Sequence, residues 1–295
     1  MLDQLADAVA DAAARIGPAV VGVGRGTGFV IARGQVLTNA HNLVTDPVVV
    51  RFAGGRAERA PITASDTDGD LAVLAVDTED LDPLQWADSP PATGTPVLAV
   101  ATTRSNRPRV TFGLVSADGQ GFRGPRGRRI RGAVEHTAPL GRGSSGGPVV
   151  GLDGRLLAIN THRRGDGFYL AQPVTAELRE RIERLTRGES PRAAHLGVAV
   201  ASPQVAHRLR AAVGLEERDG VLVRDVNPDG PAGRAGVRRG DLVVAADGAP
   251  VTSPDDMLDR LDEAEDALTL TLVRGADEVE LRVDLDGSTQ EEGSA

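Results

Sequence analysis

The chain has 295 residues, 40% of them hydrophobic, with 42 acidic against 33 basic side chains and a formal net charge of −9. Its length exceeds what one core usually serves and points to two domains, and the acid excess argues against general nucleic-acid binding. Cysteine is absent, which excludes disulfides, thiol catalysis and cysteine-ligated metal, and no apolar run approaches the roughly 20 residues needed to span a bilayer.

In chain order, Met1-Leu2-Asp3-Gln4-Leu5-Ala6-Asp7 carries acid and no basic n-region, so it does not read as a signal peptide. The expectation is a cytoplasmic protein, with an extracytoplasmic one as the alternative. Leu2, Leu5, Val9, Ala12 or Ala13, and Ile16 recur at helical spacing until Gly17-Pro18, which predicts an amphipathic helix over residues 1–17. From Ala19 to about Gln172, short Val/Ile/Leu-rich runs alternate with Gly, Pro, Asp and Thr turns, as in Val20-Val21-Gly22-Val23 and Val97-Leu98-Ala99-Val100. That spacing predicts a mainly β fold, a barrel or a sandwich. Val174 to Arg187 returns to helical spacing, with Leu178, Ile182 and Leu185 on one face, and Arg187-Gly188-Glu189-Ser190-Pro191-Arg192 reads as a linker.

Three positions within the β region carry chemistry. In Gly143-Ser144-Ser145-Gly146-Gly147-Pro148 a serine sits between glycines that let the backbone turn, leave Oγ open and aim N–H groups at one point. His41, in Val36-Leu37-Thr38-Asn39-Ala40-His41-Asn42-Leu43-Val44, follows a strand-like run. Asp70 opens another, Asp70-Leu71-Ala72-Val73-Leu74. The order His, Asp, Ser is the one a chymotrypsin-like arrangement uses, whereas subtilisin-like and α/β-hydrolase chains order the same residues otherwise. Asp66 and Asp68 precede Asp70 and read as a solvated acidic hairpin.

These segments resemble the HtrA (Deg) family of serine proteases, whose patterns read approximately G-S-G-F/V-I, TNxHV, DLAVL and GNSGGP. Here they stand as Gly26-Thr27-Gly28-Phe29-Val30, TNAHNL, DLAVL and GSSGGP. Leu156-Leu157-Ala158-Ile159-Asn160-Thr161 is similar to the family's hxGINT strand, and Phe168-Tyr169-Leu170-Ala171-Gln172-Pro173-Val174 to its GFAIP strand. The likeness runs from about Gly17 to Asp284. It implies a two-barrel chymotrypsin-like protease domain over 18–186, a linker over 187–194, a smaller α+β PDZ domain over 195–285 and a disordered tail over 286–295.

The PDZ resemblance, to the permuted type found in this family, rests on Asp225-Val226-Asn227-Pro228-Asp229-Gly230-Pro231-Ala232-Gly233-Arg234-Ala235-Gly236-Val237 followed by Arg238-Arg239-Gly240-Asp241-Leu242. His195-Leu196-Gly197-Val198 is similar to the family's Y-L-G-V loop, whose successive N–H groups receive a peptide C-terminus. Asp255, Met257, Leu258 and Leu261 belong to the expected groove helix.

Residue by residue, the resemblance makes Ser145 the nucleophile, His41 the general base and then acid, and Asp70 the carboxylate that fixes the imidazole tautomer. The N–H groups of Gly143 and Ser145 would form the oxyanion hole. Leu140, Asn160, Thr161, His162 and Arg163 would line the substrate pocket, with an arginine or histidine at its rim either favouring acidic side chains or pointing to solvent. His195, Leu196, Gly197 and Val198 would bind peptide. The implied activity is hydrolysis of unfolded or tagged polypeptides, with C-terminal peptides as PDZ ligands and neither metal nor organic cofactor. The alternative is a peptide-binding chaperone or adaptor with a quiet triad, and hydrolysis that vanishes in Ser145→Ala separates the two.

The family commonly trimerises through N-terminal elements, so the first helix is read either as an oligomer contact or as a helix lying on its own barrel. Departures gather before the nucleophile, where Glu135-His136-Thr137-Ala138-Pro139-Leu140-Gly141-Arg142 stands for a Q-T-D-A-x-I-N-P-like sequence. Ser144 replaces the usual asparagine, Thr137 an aspartate and Arg142 a proline, which adds conformational freedom to the loop. His136 is an alternative base on paper but lacks the strand-end setting of His41. The segment from Gly119 to Arg131, with Arg123, Arg126, Arg128, Arg129 and Arg131, corresponds to a regulatory loop and reads otherwise as a solvated turn.

Overall fold

The computed structural model describes residues 2–102, 106–124, 129–165, 167–191, 195–264 and 266–285. The expected tail 286–295, the linker residues 192–194, and Arg126 and Arg128 lie outside the described residues. The chain divides into two compact units, Met1–Pro191 and Arg192–Ala295.

The first unit opens with helix α1 (Leu2–Ile16) and a seven-stranded antiparallel sheet. Its strands are β1 (Val20–Val23), β2 (Gly26–Ala32), β3 (Gln35–Thr38), β4 (Val48–Arg51), β5 (Ala57–Ala60), β6 (Ile62–Asp66) and β7 (Leu71–Ala75), ordered β5-β4-β1-β2-β3-β7-β6. Six more close into a barrel in the order β10-β13-β12-β11-β8-β9: β8 (Pro96–Thr102), β9 (Pro108–Arg123), β10 (Arg129–His136), β11 (Pro148–Val150), β12 (Leu156–Arg163) and β13 (Tyr169–Pro173). Helix α2 (Ala176–Thr186) follows, its first turn capped by Thr175 Oγ1, which accepts from the Leu178 N–H at 3.1 Å.

One apolar cluster holds this unit together. It joins Val21, Phe29, Leu37 and Leu74 of the sheet to Leu98, Val150, Leu156 and Ile159 of the barrel. Ala12 and Ile16 of α1 and Leu178, Ile182 and Leu185 of α2 complete it. Each fully buried Leu or Ile stabilises the fold by about 1.5–3 kcal/mol, so the shared cluster holds sheet and barrel together. Helix α1 buries Ala12 and Ile16 against its own unit, with Val9 partly buried there and Arg15 donating to the Asp153 carbonyl at 2.6 Å.

In the arginine-rich segment, the described residues 119–123 and 129–131 are paired strand, with Arg123, Arg129 and Arg131 exposed. Ile130 stands opposite Phe122 and Arg129 opposite Arg123, and Phe122, Ile130, Ala133 and Leu170 form a small apolar cluster. Phe122 and Ile130 alternate with arginine, and their apolar side chains on one face give the paired ends a partner surface.

The second unit is a sheet ordered β14-β15-β16-β18-β19, built from β14 (Val198–Ala201), β15 (Val221–Val226), β16 (Leu242–Ala246), β18 (Ala267–Arg274) and β19 (Asp277–Asp284), with the short β17 (Ala249–Pro250) on β16. Its helices are α3 (Pro203–Ala212), α4 (Pro231–Arg234) and α5 (Pro254–Glu263). Strict alternation along β18 buries Leu268, Leu270 and Leu272 against Met257 and Leu261 of α5, which starts in a capping box formed by Ser253 and Asp256. Strand β14 lies at the sheet edge, with one row of backbone groups unpaired by any strand.

Candidate active site

His41 sits in a short turn just after β3, Asp70 in the turn between β6 and β7, and Ser145 in the loop before β11. Two elements of the sheet and one of the barrel thus meet across the cleft. Asp70 is 1% exposed and its carboxylate accepts from the His41 backbone N–H at 3.0 Å. Its Oδ2 lies 2.8 Å and its Oδ1 3.0 Å from His41 Nδ1. A carboxylate accepts only, so Nδ1 carries the proton and Nε2 presents a lone pair. Asp70 adopts φ +55°, a left-handed conformation that aspartate tolerates, with its carbonyl held by Asn39 Nδ2 at 2.7 Å.

The turn behind Asp70 is built by a residue the sequence reading left in solvent. Asp66 is 6% exposed and accepts from the N–H groups of Asp68 at 3.2 Å and Gly69 at 2.8 Å, while Arg181 of α2 approaches its other oxygen at 3.6 Å. Burial is tolerated because Oδ1 accepts two N–H bonds and Oδ2 faces the Arg181 guanidinium. Gln172 Nε2 adds a bond to the Gly69 carbonyl at 2.9 Å.

The loop around Ser145 is held from both sides. Gly143 has φ +86°, and its carbonyl accepts from Thr27 Oγ1 at 2.8 Å. Gly146 is also left-handed, and a Cβ there would collide with the Thr27 carbonyl. The Gly146 N–H donates to the Asn160 carbonyl at 2.7 Å, and the Ser145 carbonyl accepts from the Thr27 N–H at 2.9 Å and Asn42 Nδ2 at 2.8 Å. Among the described residues, no acceptor meets the N–H groups of Gly143 and Ser145. Ser144 is buried and donates to the Gly141 carbonyl at 2.9 Å. The Ser145 hydroxyl donates to the Thr161 carbonyl at 3.1 Å, and among the described residues no hydrogen bond joins it to His41.

Of the expected pocket residues, Leu140, Asn160 and Thr161 are buried together. Tyr169 donates its hydroxyl to the Leu140 carbonyl at 2.8 Å and stacks on His136, whose Nε2 lies 2.7 Å from Asn160 Oδ1. Burial outweighs that bond and the charge of Glu135, and holds the His136 imidazole below its ordinary pKa. His136 is thus tied to Asn160 and Tyr169, and among the described residues no hydrogen bond joins it to Ser145.

His162 and Arg163 lie apart from this cluster. Both are exposed, the ladder to β13 shifts register between Asn160 and His162, and His162 stacks on Phe122 at 5.8 Å. Arg164, also exposed, approaches Glu135 at 3.5 Å.

In the second unit Leu196 is buried, Gly197 takes φ +73°, and their carbonyls accept from Ala232 N–H at 2.9 Å and Asn227 N–H at 2.8 Å. The N–H groups of Leu196 and Gly197 have no acceptor among the described residues, and His195 is exposed. Val198 begins β14, so this loop opens directly onto the free sheet edge. No cluster among the described residues has the make-up of a metal site.

Asn39, Asn42, Thr27, Gln172 and Tyr169 shape the site, and none was singled out from the sequence as a site residue. The available signal was polarity inside strands of otherwise buried pattern, as at Gln172 in Tyr169–Pro173.

The trypsin-like peptidase domain family matches residues 26–159 and the PDZ domain family residues 222–275. A probable periplasmic serine endoprotease, DegP-like, from Halomonas elongata is 32% identical over 236 residues, 77% of this chain and 48% of that protein. The chain therefore spans about half the length of that relative. Serine endoprotease DegS of Escherichia coli is 27% identical over 273 residues, 87% of this chain and 74% of that one. The solved structure of HtrA-type protease AlgW with tripeptide superposes with a TM-score of 0.62 at 26% identity, covering 97% of this chain and 99% of that one. A trypsin-like unit followed by a PDZ unit, in a chain alike along most of its length to DegP- and DegS-type proteins, places it in the HtrA/Deg family of serine proteases.

Proposed function

We propose that the chain is a serine endopeptidase acting on unfolded or tagged polypeptides. The observation that supports this best is the buried Asp70 carboxylate 2.8 Å from His41 Nδ1, facing a loop that carries Ser145 between two glycines. In this reading the Ser145 hydroxyl rotates from the Thr161 carbonyl towards His41 Nε2, which takes its proton as Oγ bonds to the scissile carbonyl carbon. The oxyanion is received by the N–H groups of Gly143 and Ser145. His41 then returns the proton to the leaving amine as the C–N bond breaks, and water repeats the sequence to release the acyl group. Asp70 stays ionised and stabilises the charged imidazole.

The free edge of β14 and the loop 195–198 would receive a peptide C-terminus as an added strand, its carboxylate on the N–H groups of Leu196 and Gly197. AlgW, whose structure carries a tripeptide, supports this by likeness. The relatives named periplasmic support an extracytoplasmic place of action, whereas the cytoplasmic expectation has no support from them. Among the described residues no helix is long and apolar enough to cross a membrane. A homo-oligomer, trimer-based as in the family, belongs to this reading on family likeness.

One observation favours the quiet adaptor as a second reading: Ser145 is bonded to Thr161 and not to His41. Incubation with unfolded casein decides. The protease reading expects cleavage that disappears in Ser145→Ala, and the adaptor reading expects binding without cleavage in both.

A further inference from the structure

We infer that Asn42 is a positioning residue, clamping the main chain of the nucleophile to the turn that carries the base; the inference rests on the protease reading above. Asn42 follows His41 in the turn 40–42 and is 2% exposed. Its Nδ2 donates to the Ser145 carbonyl at 2.8 Å and lies 3.0 Å from Thr38 Oγ1, at the end of β3. The peptide after Ser145 is thereby fixed at both ends, its oxygen by Thr27 N–H and Asn42 and its N–H by the Asn160 carbonyl. Of the two donors on that oxygen, Asn42 alone is a side chain, and it is the one that shares a turn with the imidazole.

The clamp uses room that a glycine leaves: a Cβ at Gly26 would overlap the Asn42 amide, and the family pattern also carries glycine there. That pattern places valine where Asn42 stands and proline where Arg142 stands. Here Gly141-Arg142 leaves the approach to Ser145 without that stiffening. Asn42 supplies the constraint from across the cleft, so that when the Ser145 hydroxyl leaves Thr161 its main chain stays registered against His41. Catalytic geometry is sensitive at this scale, since displacement by about 1 Å can reduce turnover about a hundredfold.

The test is steady-state hydrolysis of a peptide substrate by wild type, Asn42→Val and Asn42→Asp, with thermal unfolding of each. Asn42→Val removes the donor. Asn42→Asp is nearly isosteric, sets an acceptor against the Ser145 carbonyl, and serves where valine disturbs the fold. The expectation is a kcat lowered roughly tenfold or more in Asn42→Val and further in Asn42→Asp, with KM within about twofold of wild type in each. A folded Asn42→Val or Asn42→Asp variant with wild-type kcat, or a loss confined to KM, overturns the inference while leaving the protease reading in place. A wild type without Ser145-dependent hydrolysis overturns both.

Discussion

Asp70 illustrates how much a single carboxylate sets at once. It accepts both the backbone and the ring N–H of His41, and so fixes the turn and the tautomer together. Asp70→Asn keeps the shape but offers an amide N–H to Nδ1, which moves the imidazole proton to Nε2 and leaves no base for Ser145. Turnover is expected to fall roughly a thousandfold or more with KM little changed, as read by initial rates. His136 carries a second residue-level prediction. Its pKa is lowered mainly by burial, so the unfolded chain binds a proton near pH 6.5 that the folded chain resists. The associated stability is present above about pH 6.5 and lost as pH falls towards the depressed folded value. Between pH 7 and 5 the Tm of wild type should therefore drop more steeply than that of His136→Gln; parallel slopes would contradict the assignment. That His41, Asp70 and the Ser145 loop come together could be expected from the sequence, because each lies in a contiguous motif. Asn42 and Gln172 could not, because each acts on a loop 103 positions away and no local pattern announces a partner at that range.

At the scale of elements, periodicity was informative wherever burial has one side. Helix α2 shows it: Leu178, Ile182 and Leu185 share a face and all three are buried in the first unit. Leu185→Ala, at a fully buried position, should lower the stability of the first unit by about 2–4 kcal/mol in urea titration followed by Trp86 fluorescence. The arginine-rich segment was harder to read, since charge dominates its composition while Phe122 and Ile130 decide its pairing. In the second unit Asp241, at the start of β16, is buried and held by Arg274 in two bonds of 2.8 Å. Arg274 is partly exposed, so Arg274→Ala should cost about 2 kcal/mol, less than for a fully buried pair, and should lower the midpoint of the second unit's urea transition.

For the whole molecule, the two units have separate cores and separate sites: a cleft that brings His41, Asp70 and the Ser145 loop together, and a sheet edge that ends in the loop 195–198. This organisation was legible because both halves carry extended motifs whose glycines and prolines mark turns that only such backbones make. The exposure of His162 and Arg163 was one of two alternatives the sequence left open, because whether a strand end faces a pocket or solvent depends on packing that no local pattern carries; here the ladder to β13 shifts register between Asn160 and His162.

The central claim is that Ser145 is a nucleophile activated by His41 and Asp70, with an oxyanion hole in place. The most direct measurement is covalent labelling by a fluorophosphonate probe, wild type beside Ser145→Ala, with and without a peptide bearing a free, apolar C-terminus, the adduct located by mass spectrometry. The account predicts a single adduct on Ser145 in wild type and none in Ser145→Ala. No adduct in wild type under either condition, or one placed on another residue such as Ser144, would contradict it.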